Sequence, residues 1–88
     1  MLYYIRKENR RLWQRNAAVA LGNEGDPESV PLLTSALSDP EPLVRSHSAW
    51  ALGRIGGAGA RTSLEKRRSP EPQEDVRAEI DGALEGIE

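Results

Sequence analysis

Apolar residues along this chain recur at helical spacing, and polar residues between them carry start and stop signals. Val30, Leu33 and Leu37 lie three and four apart, and Val44, Ser48, Ala51, Leu52 and Ile55 mark one face of the next stretch. Val76, Ile80, Ala83 and Leu84 do the same near the end. Asp26-Pro27-Glu28 predicts a helix start, because an aspartate caps free amides and proline suits a first turn. Pro31 falls close enough to that start to be tolerated, and the helix should stop near Leu37. Asp39-Pro40-Glu41-Pro42 restarts the chain in the same way, and Gly56-Gly57 ends that second helix. A shorter helix over roughly 58–68 follows, then a loop at Ser69-Pro70-Glu71-Pro72, where two prolines break the ladder. The last helix runs from about Gln73 to Leu84. The first covers about Lys7 to Asn23 and stops before Gly25. The pattern predicts five helices and no strand.

These stretches are copies of one another. Leu12, Ala18, Ala20-Leu21-Gly22 and Gly25 return 31 positions later as Leu43, Ala49, Ala51-Leu52-Gly53 and Gly56. Val44-Arg45 and Ala51-Leu52 return 32 positions later as Val76-Arg77 and Ala83-Leu84. Such a period belongs to two-helix units, each of which buries its apolar face only against the next. The predicted fold class is therefore all-α, a short α-solenoid. Small residues at Ala17, Ala18, Ala20, Ala49 and Ala51 permit close helix approach.

Composition narrows the function. The chain has 88 residues, no cysteine and one histidine. Disulfides, thiolate catalysis and cysteine-bound zinc or iron–sulfur clusters are thereby excluded within it. No apolar run approaches a membrane span, and the expectation is a cytoplasmic protein without membrane contact. Net charge is −2, but unevenly placed. Residues 1–15 hold five basic side chains against one acidic, and residues 69–88 hold seven acidic against one basic. Such asymmetry orients a partner. No catalytic constellation stands out: serines and acids occupy cap and loop positions, and Gly53, Gly56, Gly57 and Gly59 follow a helix rather than a strand, so they do not form a phosphate loop.

Leu43-Val44-Arg45 with Ala49-Trp50-Ala51-Leu52-Gly53-Arg54-Ile55-Gly56 resembles the short HEAT-like repeat, the kind also found in phycobilisome lyases. Arg15-Asn16-Ala17-Ala18-Val19-Ala20-Leu21-Gly22-Asn23 adds a narrower likeness. With Asp26-Pro27, Val30-Pro31-Leu32-Leu33 and Ala36-Leu37, it resembles the C-terminal repeat domain of bacterial epoxyqueuosine reductase, an oxidoreductase family of tRNA queuosine biosynthesis. The likeness covers roughly Arg10 to Leu84. It implies an extension or linker over residues 1–9, a repeat domain over 10–88, and a catalytic region elsewhere that holds cobalamin and two [4Fe–4S] clusters. This chain would hold no cofactor and would not catalyse alone. The implied partners are a tRNA and that N-terminal catalytic region. The alternative is a HEAT-like scaffold for a protein partner.

Candidate RNA-binding residues are Arg10, Arg11, Arg15, Asn16, His47, Trp50 and Arg54. Arg11 and Arg15 are four apart on one helix face. His47, Trp50 and Arg54 offer a row of a ring, an indole and a cation. Arg61, Lys66, Arg67 and Arg68 are further cations. Structural readings stand beside these. Trp50 and Trp13 sit where packing residues recur, and His47 suits a structural hydrogen bond. Arg45 is expected to pair with Asp39, and Arg77 with Asp75 or Glu74. Tyr3, Tyr4 and Ile5 are apolar beside a terminus and suit packing on the catalytic region.

Overall fold

A computed structural model describes the backbone over residues 7–87 and the side chains over residues 14–87. The expected environments of Tyr3, Tyr4, Ile5 and Trp13 lie outside the described residues. Among the described residues there are five helices and no strand: α1 (Lys7–Glu24), α2 (Val30–Ala36), α3 (Pro42–Ile55), α4 (Gly57–Arg68) and α5 (Glu74–Glu85).

The helix ends follow the local chemistry. Asp26 accepts a bond from the Glu28 amide at 2.9 Å, as a cap should. The α-helix does not start there, however. Pro27–Ser29 forms a 3₁₀ turn, and α2 begins only at Val30. The reason is Pro31. Its ring nitrogen has no hydrogen to give the Pro27 carbonyl, so the Val30 amide takes that carbonyl instead, in the tighter i→i+3 pattern. Asp39 turns the next loop by accepting the Glu41 amide at 2.9 Å, and Pro42 then occupies the first turn of α3. Gly56, at φ 72, closes α3 in a conformation that a Cβ would strain, and its amide reaches the Leu52 carbonyl at 2.8 Å.

The helices form two layers. α1, α3 and α5 lie side by side in one, and α2 and α4 in the other. α2 pairs with α3 and α4 with α5 as successive hairpins. Leu33, Leu37, Leu52, Leu64, Val76 and Ile80 fill the seam between the layers. Neighbours within the first layer approach closely through small residues. A Cβ placed on Gly53 would fall 2.7 Å from Cβ and 3.0 Å from Cα of Ala83. One on Gly22 would fall 2.7 Å from the Trp50 ring. This successive stacking is the predicted α-solenoid.

A buried ionic rung joins the hairpins, and it corrects one expectation. Arg45 does not pair with the Asp39 carboxylate. Its Nη1 donates to the Asp39 and Pro40 carbonyls at 2.8 and 3.1 Å, while Nε and Nη2 grip both oxygens of Glu71 at 2.8 and 3.1 Å. Glu71, expected to be loop, is 1% exposed. Asp39 and Glu71 are 32 positions apart, so they hold the same place in successive units. The Asp39 carboxylate is reached instead by Gln14 Nε2 at 3.2 Å, from the position 31 residues before Arg45. Each rung thus joins one unit's layer helix to the following unit's acid, and Asp39 belongs to the Gln14 rung.

Candidate nucleic-acid interface

The repeat register sets four of the candidate residues, Asn16, His47, Trp50 and Arg54, at equivalent positions of the α1–α3–α5 layer. Asn16, Val19 and Asn23 on α1 correspond to His47, Trp50 and Arg54 on α3, and these to Glu79 and Gly82 on α5 and Gly86 just past its end. Arg54 lies over the Trp50 ring, its guanidinium carbon 5.6 Å from the centroid, within range of a cation–π contact. Trp50 is half-buried, and one edge of its ring rests where Gly22 leaves room. Packing and exposure are thus combined in one side chain.

His47 Nδ1 lies 2.9 Å from the Leu43 carbonyl one turn back. A carbonyl only accepts, so that nitrogen carries the hydrogen. Arg15 bends over its neighbour, with Nε and Nη2 at 3.3 and 3.1 Å from Asn16 Oδ1. That contact holds the guanidinium without neutralising it. Arg10 and Arg11 lie on α1, but their side chains are outside the described residues.

Beside Trp50 is an open cleft of about 520 Å³, lined by α3, α5 and the Gly86 that ends α5. Gly82 stands here at the place of Trp50, and a Cβ on it would meet nothing within 4 Å. The missing side chain is what opens the cleft. Glu79 closes one side of it. Sequence reasoning passed over Glu79, although its position 32 residues after His47 would have placed it on this face.

The arginines of α4 are engaged elsewhere. Arg61 donates to the Ile87 carbonyl at 2.6 Å, and Arg67 donates to Glu71 Oε1 at 3.3 and 3.2 Å. Arg68 pairs with Asp81 on α5. The bond from Arg68 draws the Asp81 carboxyl below its ordinary value, and Arg77 acts in the same direction. Arg77 is exposed, and among the described residues neither a hydrogen bond nor an ion pair joins it to Asp75 or Glu74, against the expectation. Burial pushes the Glu71 carboxyl upward, but bonds from Arg45, the Gln73 amide and Arg67 outweigh it, and the net displacement is downward.

The groups implied by the catalytic region do not fit these residues. Iron–sulfur clusters need thiolates, and the chain has no cysteine. Among the described residues no group of three or more histidines or acids is placed to hold a metal ion. No described helix is long and apolar enough to cross a membrane.

Stacked hairpins, a two-layer core and charged rungs between units define a helical repeat protein. The HEAT repeat family model matches residues 2–85, and the chain belongs to that family. Its likeness reaches a particular member. An epoxyqueuosine reductase from Bacillus cereus is 40% identical over 73 residues, which is 82% of this chain and 19% of the reductase. The solved epoxyqueuosine reductase of Bacillus subtilis superposes with a TM-score of 0.78 at 36% identity, over 84% of this chain and 20% of that one. A deoxyhypusine hydroxylase from Arabidopsis thaliana is 40% identical over 84 residues, 93% of this chain and 27% of the hydroxylase. The chain thus spans about one fifth of the length of the reductases it matches.

Proposed function

We propose that these residues are the C-terminal HEAT-like repeat part of an epoxyqueuosine reductase, helping to dock the tRNA substrate without catalysing alone. The observation that carries this reading is the likeness to the solved reductase in both sequence and superposition. Residues 10–88 form the repeat domain and 1–9 connect it. The catalytic region, with cobalamin and two [4Fe–4S] clusters, lies outside these residues, in the cytoplasm.

The α1–α3 half of the exposed face is the side that suits RNA. Affinity for a folded RNA comes mainly from neutralised phosphates, with stacking as an addition. Arg10, Arg11 and Arg15 lie on the basic helix, with Asn16 beside them. On α3, Arg54 supplies a cation, Trp50 an indole, and His47 a ring held in place from behind. Phosphates are disfavoured on α5, where Glu79 and the acidic end lie.

Binding of unmodified cognate tRNA, measured against salt, tests the reading. The comparison is between the Bacillus subtilis reductase with this chain in place of its matched segment and the same chimera carrying Arg15→Ala and Arg54→Ala. Each lost phosphate contact should flatten the slope of log K against log salt by about 1. Identical affinity and slope in both proteins would remove these residues from the interface. A second reading, a scaffold for a protein partner, is favoured by one observation: Leu32 is large, apolar and 64% exposed.

A further inference from the structure

Leu32 is exposed at a position that the repeat uses for contact. In the second layer, Thr34 of α2 meets Ser63 of α4, their hydroxyl oxygens 2.7 Å apart. Ser63 is thus the α4 residue that faces the preceding helix. The residue 31 positions before Ser63 is Leu32. By register, Leu32 is the α2 residue that would face a helix lying on its other side. Among the described residues no helix lies there. α3 has α2 as its hairpin partner and α5 has α4, while α1 has no such partner among the described residues.

The vacant position is a built groove. Between α1 and α2 lies a cavity of about 150 Å³ whose walls include Ala17, Ala18, Leu33, Ala36 and Val44. Ser48 also lines it. The Ser48 hydroxyl oxygen is fully buried and has no hydrogen-bond partner. The apolar walls describe an occupant: a helix with a small aliphatic edge.

We infer that this groove seats an amphipathic helix of the polypeptide that carries the catalytic part of the reductase relatives. The relatives hold about four fifths of their length outside the matched segment, so this polypeptide is the large partner that the repeat works beside. The groove walls are apolar and small, which suits a helix edge and offers no phosphate a cation. The inference rests on the reading of the chain as a reductase repeat, but not on its binding RNA.

Because the chain has no cysteine, Leu32→Cys adds the one thiol of this segment. Maleimide alkylation of the peptide that carries it is timed by digestion and mass spectrometry in the 88-residue chain and in the chimera described above, both without RNA, so that the cysteines of the catalytic part are counted apart. The thiol should react at the rate of an exposed cysteine in the 88-residue chain and at least tenfold more slowly in the chimera. Equal rates would overturn the inference. So would protection in the 88-residue chain that rises with concentration alongside a dimer by light scattering, since a second copy would then be the occupant. If the chimera does not fold, the same comparison is made at the residue aligned with Leu32 in the intact Bacillus subtilis reductase and in its denatured state, with the same two outcomes. Protection with unaltered tRNA affinity in the Arg15→Ala and Arg54→Ala chimera would sink the RNA role alone.

Discussion

Glu71 carries a negative charge into a place that water does not reach, and donors from three residues meet it there. Arg45 takes both oxygens, Arg67 shares one, and the Gln73 amide closes the loop at 3.0 Å. Removing one partner of such a group leaves an uncompensated buried charge. Arg45→Ala should therefore cost about 3–5 kcal/mol, read as a lower urea midpoint, and much of the total stability of a domain this size is at stake. The same geometry sets a pH dependence. The folded carboxyl titrates below its ordinary value of 4.5. The unfolded chain therefore binds the proton first, and the stabilisation is fully present above the unfolded value. It is lost as pH falls through the lower folded value. The urea midpoint should drop on acidification below 4.5, and Glu71→Gln should flatten that part of the curve. The expectation of an Arg45–Asp39 pair had the right arginine and the wrong acid. Only folding shows that the acid in reach belongs to the following unit.

At the scale of elements, two glycines on helices do opposite things. Gly53 lets α3 touch α5, and Gly53→Val would drive a branched side chain into Ala83. Such overpacking costs about 1–3 kcal/mol. Gly82 touches nothing, has no positive φ to justify it, and sits within α5. Gly82→Ala should raise the urea midpoint by the equivalent of about 0.5–1 kcal/mol, since alanine restricts the unfolded chain and favours the helix. If it does not, the glycine has a contact that a lone Cβ does not reveal. The helices themselves were legible in the one-dimensional pattern, to within a residue or two at most ends. The 3₁₀ turn at Pro27–Ser29 was not anticipated. Each proline by itself suits the start of a helix, but Pro31 has no N–H for the Pro27 carbonyl, and the α-helical bond between them is lost.

Across the whole molecule, charge decides which half of the exposed face would suit RNA under the proposed function. The chain is basic at α1 and acidic at α5, and Glu79 brings that acid to the cleft beside Trp50. Glu79→Gln should raise tRNA affinity modestly at low salt and lose this gain as screening increases. A change that ignores salt would show that Glu79 acts through packing instead. The row of His47, Trp50 and Arg54 was legible because three residues on one helix keep their spacing whatever surrounds them. The open cleft was not, because it exists only where the Trp50 position of α3 meets the Gly82 position of α5.

By itself, the sequence determined the helices, their order and the repeat that stacks them, because helical periodicity and capping are local and a 31-residue rhythm leaves one way to bury each stripe. Tertiary structure decided which charges are spent and which are free. Lys66-Arg67-Arg68 looks like a solvated basic run in the chain, yet Arg67 reaches the Glu71 carboxylate one turn on and Arg68 that of Asp81 on α5. It also decided that Leu32 faces outward and that the Ser48 hydroxyl is sealed in without a partner. The reason is distance: Arg68 and Asp81 lie 13 positions apart and Arg45 and Glu71 26, and no local pattern records which of such side chains will meet.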